Sequence, residues 1–417
     1  MGKRKQRKEE KEKVNKISDV KMAYIMYGKK VFVIPIVIAI ILGAIIWGIV
    51  YNARKGSAPQ ETANNQKEQI NYIWGEIKPG KRNDKNYTTV TSSDGIQVPV
   101  PTGYTASSAS DENSVNGGFV IYEGTEAVTD SNKWEAQCNR NQYVWIPIAD
   151  VSDMYWRNQT TGKKYGTTYT FSSSSSSYSK SSSNKQEPQT TSKDIQSTYL
   201  TQYLNGMSRE DFLMEMEIDF DKMLNSVATY GGYYIGRYET GDLSQTKPVV
   251  KRMNTDLGKQ NWWQMWKKAR KLSGTSAGVQ MIWGIQWDET LKWLIDSGNK
   301  TYSEVGSDST SWGNYYNNSF TYYTNTSKST ATKSANSNTR IPSGAYEGAN
   351  ANNVFDLAGN VWDWTLESSG SGTSYGRCGR GGYYYGDGNS HPAAYRYSNV
   401  PGNSGYSAGL RCALYIK

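Results

Sequence analysis

The chain has 417 residues, 36% hydrophobic and 20% charged, enough to bury a core in one large domain with appendages. A single histidine, His391, and three cysteines, Cys138, Cys378 and Cys412, exclude a three-histidine metal site and a CxxC pair. The formal net charge of +9 sits at one end: Met1 to Lys30 holds eleven Lys/Arg against four Asp/Glu, Arg54 and Lys55 follow, and the remainder is neutral, which argues against a nucleic-acid footprint.

Residues 1–30 read as a basic cytoplasmic segment, and 31–53, VFVIPIVIAIILGAIIWGIVYNA, as one transmembrane helix. Twenty-three uncharged residues in a row are long enough to cross a hydrocarbon core of about 30 Å. The basic flank predicts a cytoplasmic N-terminus, with Trp47 and Tyr51 at the outer interface and the C-terminal domain extracellular. Residues 54–94, polar and short of aliphatics, read as a stalk, and 95–417 as the folded domain.

Within that domain, Phe119–Tyr122 and Tyr143–Pro147 have the β-branched and aromatic content of strands. The serine-rich stretch 167–194 and the polar stretch 315–338 read as low-complexity insertions, too poor in apolar groups to repay their ordering entropy. From Ser208 to Val227, Phe212, Met216, Phe220, Met223 and Val227 recur at three- and four-residue steps, predicting a helix that starts at Ser208 and Asp211. A strand is expected over 231–239 and helices over 262–272 and 288–295. The Gly-, Tyr- and Ser-rich C-terminus predicts short strands and long ordered loops. The fold class is therefore α+β with much irregular structure.

The most specific stretch is Asn353-Val-Phe-Asp-Leu-Ala-Gly-Asn-Val-Trp-Asp-Trp364, followed by Arg380-Gly-Gly382 and Gly409-Leu-Arg411. It resembles the formylglycine-generating enzyme and sulfatase-modifying factor family, whose members carry GNVWEW, RGG and a closing GFR in this order. The resemblance implies a loop-rich variant of the C-type lectin-like fold. It also implies calcium held by Asp356, the carbonyls of Gly359 and Val361, and Asp363, although Asp363 has a shorter arm than the usual Glu. Turn capping by the two aspartates is the alternative. Enzymes of that family bind copper through two cysteines after RGG. The matching positions here are Gly386 and His391, so neither copper nor oxidase activity is expected. Cys378 and Cys412 flank the segment and are expected to pair in an oxidising exterior, with Cys138 as a competitor.

From Tyr383 to Ala408, 19 of 26 residues are Tyr, Ser, Asn, Gly, Asp or His, the chemistry of an antibody paratope. The alternative is a loop that merely covers the core. The chain is similar to variable proteins of diversity-generating retroelements, which place hypervariable residues after the same motif. That likeness implies ligand contacts at Tyr383, Tyr384, Tyr385, Asp387, Asn389, His391, Tyr397, Asn399 and Tyr406, with Arg396 and Arg411 structural. The expected function is a membrane-anchored surface protein that binds an extracellular protein or carbohydrate ligand. A divergent enzyme of the same family and a structural cell-envelope protein are the competing readings.

Overall fold

A computed structural model describes residues 76–182, 187–188, 197–369 and 376–417. The predicted cytoplasmic segment and membrane span, at 1–53, lie outside the described residues. Among the described residues, no helix is long and apolar enough to cross a membrane.

Ten strands build the two sheets that matter for the site: β1 (Tyr104–Ala106), β2 (Val120–Glu123), β3 (Gln142–Pro147), β4 (Gly232–Gly236), β5 (Ala277–Met281), β6 (Trp362–Ser368), β7 (Arg377–Arg380), β8 (Arg396–Asn399), β9 (Ala408–Leu410) and β10 (Cys412–Ile416). The larger sheet is antiparallel in the order β5-β10-β4-β3-β2-β1. Its central strands are almost wholly buried because both faces are covered, which is why Tyr143-Val-Trp-Ile146 and Tyr233-Tyr-Ile235 are apolar without alternation. The smaller sheet runs β8-β7-β6-β9, with β9 parallel to β6.

Three main helices pack around the larger sheet: α1 (Arg209–Tyr230), α2 (Trp262–Arg270) and α3 (Gly284–Asp296). Helix α1 starts where the sequence places it, with Ser208 Oγ accepting the Asp211 N–H at 3.0 Å. It ends at Gly231, whose φ of 84° suits a left-handed cap. The whole predicted stripe from Phe212 to Val227 is buried. Phe212 meets Trp262, Trp263 and Trp266 of α2, and burying each such large side chain contributes about 1.5–3 kcal/mol. Helix α3 begins four residues earlier than the sequence suggests, with Gln286 Oε1 accepting the Trp283 backbone N–H at 3.1 Å.

Two boundaries need correction. The folded part does not start at residue 95: strand Tyr87–Thr91 pairs with Gln97–Pro101, and Gly80 N–H donates to Thr229 Oγ1 at 2.7 Å, so much of the expected stalk is part of the domain. The two low-complexity insertions also contain order. Lys164–Ser172 pairs with Ser177–Ser182, and Phe320–Tyr323 with Thr330–Lys333. In the first hairpin the strand from Lys164 to Tyr169 is buried throughout, with Tyr165, Tyr169 and Phe171 supplying its large side chains beside the serine run.

Candidate functional site

The site grows out of β6. A strand turns successive side chains to opposite faces, so Trp362 and Trp364 share one face and Asp363 takes the other. Trp362 and Trp364, 4% and 2% exposed, form part of the wall of a cavity of about 380 Å³. On the opposite face Asp363 Oδ2 accepts the Arg411 Nε–H at 2.9 Å.

Next to Trp364 in register lies Gly379 of β7, which in turn faces Tyr397 of β8. The absent side chain at Gly379 leaves room between the two rings, and it also lines the cavity. Beyond β7 the chain turns at Gly381 and Gly382, with φ of 90° and 82°. A Cβ at Gly382 would stand 2.4 Å from the His391 carbonyl oxygen, so a glycine is required there. The loop from 381 to 391 is closed by Tyr315, whose hydroxyl lies 2.9 Å from the carbonyl oxygens of both Gly381 and His391. Trp287 of α3 fixes the next turn by donating its indole N–H to the Ala393 carbonyl at 3.0 Å.

This framework delivers an aromatic cluster around Trp362. Tyr383 and Tyr397 stack on it, with ring centroids at 5.3 and 4.9 Å and interplanar angles of 25° and 17°. His391 meets it edge-on at 5.5 Å. Burial pushes the His391 imidazole below its usual range, against the opposing charge of Asp387. The far wall is the loop from Asn399 to Ala408, which contributes Asn399, Asn403, Ser404, Gly405, Ser407 and Ala408.

Of the nine expected contact residues, Tyr383, His391, Tyr397 and Asn399 line the cavity. Tyr385 and Tyr406 do not, but both project outward, 57% and 60% exposed, with Lys259 Nζ 4.5 Å from the Tyr406 ring. Tyr384 donates its backbone N–H to the Asn360 carbonyl at 2.9 Å, and the Asp387 carbonyl accepts the His391 N–H at 2.9 Å, so these two shape the loop. Asn389 is exposed beside Ser390. Gly379 and Asn403 also line the cavity and were not among the expected contacts, and Trp362 and Trp364 are core residues that reach its wall. The W-D-W alternation carried the information that both tryptophans point the same way.

Arg396 and Arg411 belong to the scaffold, as expected. Arg380 donates to Asp288 at 2.6 Å and Glu367 at 3.0 Å, and Arg396 bonds the same two carboxylates. Arg411 sits where the chain passes from β9 in one sheet to β10 in the other. Besides Asp363 it donates to the carbonyls of Gly236, Phe355 and Asp356.

The two carboxylates of the donor set implied for calcium have partners within the protein. Asp356 Oδ2 accepts the Gly344 N–H at 2.6 Å, Glu239 accepts the Val361 N–H at 3.0 Å, and Arg411 takes Asp363 and the Asp356 carbonyl. Burial pushes the carboxyls of Asp363, Asp356 and Glu239 upward; in Asp363 it raises the pKa to about 6 against the opposing pull of Arg411. Asp356 Oδ1 and Asp363 Oδ1 have no partner, but among the described residues no three acidic, histidine or cysteine side chains form a metal cage. Arg411 thus supplies a positive charge at the turn that carries Asp356, Gly359, Val361 and Asp363.

The expected Cys378–Cys412 disulfide is also corrected. Cys138, Cys378 and Cys412 are three free, buried thiols. Cys378 lies on β7 and Cys412 on β10, in different sheets, and Cys412 Sγ accepts from Thr240 Oγ1 at 3.3 Å. At the positions matching the copper cysteines, a Cβ on Gly386 would stand 2.8 Å from His391 Nδ1, so the two positions are neighbours in space.

The family model of the sulfatase-modifying factor enzyme 1-like domain matches residues 97–416. Among solved structures, Treponema denticola variable protein 1 is similar at 16% identity, over 44% of this chain and 84% of that one, with a TM-score of 0.28. A structure of CarF is similar at 13% identity, over 45% of this chain and 87% of that one, with a TM-score of 0.29. No curated protein matches the chain.

Proposed function

The chain belongs to the sulfatase-modifying factor enzyme 1-like family, and from that premise we propose that it is a surface-displayed binding protein, anchored by residues 31–53, that captures an extracellular ligand on its C-terminal loops. The observation that carries this reading is the cavity beside Trp362, walled by Tyr383, His391, Tyr397 and Asn399 from the Tyr/Ser/Asn-rich segment. Paired aromatic platforms with amides and hydroxyls around them suit recognition, in which rigid rings supply area at low entropic cost.

Oxidase chemistry is not part of the proposal. Gly386 offers no side chain at all, and a single imidazole does not supply the two thiolates that hold copper(I). Purified full-length chain in detergent is expected to consume no oxygen when given copper and a thiol peptide.

The binding reading is tested by presenting the full chain to immobilised extracellular proteins and glycans, alongside Tyr383→Ala and Tyr397→Ala. Capture lost in both variants, with each still unfolding cooperatively within a few degrees of the parent, supports it. Capture that survives both substitutions overturns it. Whether the segment is diversified is a separate matter: a near-copy of the codons for 377–417 beside a reverse transcriptase gene, differing mainly at adenines, would establish it.

A further inference from the structure

We infer that the cavity beside Trp364 receives a neutral sugar residue; the inference rests on the binding function proposed above and specifies its ligand. None of the twelve residues that line the cavity is Asp, Glu, Lys or Arg. A site for phosphate, sulfate or a carboxylated sugar would place arginine or lysine there, since such groups are held by charge-assisted bonds. The arginine next to the cavity in sequence, Arg396, is already committed to Asp288 and Glu367. A purely apolar ligand fits no better, because it would strand the polar groups of the wall without partners.

Those polar groups are specific. Asn399 Oδ1 accepts the Val400 N–H at 2.8 Å and also the Asn403 Nδ2–H at 2.8 Å, which fixes the orientation of both amides. Asn399 Nδ2 and Asn403 Oδ1 are left with no partner among the described residues, one a donor and the other an acceptor. The hydroxyls of Ser404 and Ser407 lie on the same wall. A hydroxyl donates one hydrogen bond and accepts two, so a polyhydroxylated ring answers this mixture of donors and acceptors, where a charged group would answer half of it.

The remaining wall is aromatic. Tyr397 is 39% exposed and presents its ring to the cavity beside Tyr383. The electron-rich face of a tyrosine ring attracts the polarised C–H edge of a pyranose, as it attracts other positive edges. A volume of about 380 Å³ lies at the lower end of the range of roughly 300–1,000 Å³ for small-molecule sites, which suits one or two sugar rings and not a folded partner.

The experiment uses the full chain in detergent, with intrinsic tryptophan fluorescence and calorimetry as readouts. The probes are cellobiose, lactose, maltose, mannobiose and the N-acetylglucosamine dimer, compared with sialyllactose and a sulfated disaccharide. The expected result is saturable quenching by at least one neutral disaccharide, with an affinity that stays constant from about 50 to about 500 mM salt. Asn403→Ala, in an exposed loop, should weaken it roughly tenfold without lowering the melting temperature. Binding confined to the charged sugars, or lost with salt, overturns the assignment. So does the absence of any sugar binding while a protein ligand is still captured through Tyr397, an outcome that leaves the binding function standing. If Tyr383→Ala and Tyr397→Ala also leave all capture unchanged, the binding function itself fails.

Discussion

The ring of Tyr397 lies 4.9 Å from the indole of Trp362 and within 17° of parallel, joining strand β8 to strand β6 across the glycine at 379. One tyrosine thereby covers a buried tryptophan and walls the cavity. Its two roles separate energetically, because Tyr397 is 39% exposed and Trp362 only 4%.

Replacing Tyr397 with Ala is therefore expected to cost little stability, about 0.5–1.5 kcal/mol for the lost ring pair. Ligand affinity should fall by a factor of ten or more. Thermal unfolding and a binding isotherm on the same preparation check this. A large loss of stability would mean that the stack is structural and the cavity incidental.

Gly386 gives a second handle on the same cluster. A Cβ there would come within 2.7 Å of Tyr383 Cε1 and 2.8 Å of His391 Nδ1, closer than atoms tolerate. Gly386→Ala should push the Tyr383 ring off Trp362, at a cost of about 1–3 kcal/mol from overpacking. Binding should weaken more than it does in Tyr385→Ala, whose ring is exposed outside the cavity. Comparing the two affinities tests whether the cavity or the loop tip carries recognition.

Much of the scaffold was legible because it rests on local patterns. The stripe from Phe212 to Val227 and the cap at Ser208 each declare themselves within a few residues. What stayed hidden depends on contacts distant in sequence. Trp362 and Trp364 look like core because they are core, and only the pairing of β6 with β7 shows that Gly379 opens a cavity against them. The cysteines misled for a similar reason: flanking a segment in sequence says nothing about whether two strands share a sheet. Arg411, read as structural from its motif, gained its particular meaning only when the chain was seen to change sheets there.

The three thiols yield a direct prediction. Burial pushes Cys378 well above the ordinary thiol range and Cys412 up to about 12, so neither offers a thiolate at neutral pH. Native protein should resist a thiol reagent, and all three cysteines should react after denaturation without reductant. An intact mass lighter by two hydrogens would instead show a disulfide.

Since Arg411 supplies the positive charge at the Asp356–Asp363 turn, chelation is expected to leave the melting temperature unchanged. Fluorescence-monitored melts with EDTA and with added calcium provide the check. A calcium-dependent rise would place an ion at the two oxygens that lack partners, Asp356 Oδ1 and Asp363 Oδ1.

The same turn predicts a pH dependence whose sign follows from burial. Asp363 titrates at about 6 in the folded chain against an ordinary value of 3.8, so folding favours its protonated form. Its contribution to stability is fully present below pH 3.8 and is lost as the pH rises through about 6. Asn at this position imitates the protonated carboxyl at every pH. Asp363→Asn should therefore flatten this dependence, while costing stability at every pH because it leaves the buried Arg411 without its paired carboxylate. Arg411→Met should steepen it. It leaves Asp363, Asp356 and Glu239 buried without their cation, costing about 3–5 kcal/mol near neutral pH and less in acid, where the carboxyls are protonated. Urea titrations of the three proteins from pH 4 to pH 8 would show a flatter profile for Asp363→Asn and a steeper one for Arg411→Met, and parallel curves would remove Arg411 from its assigned role.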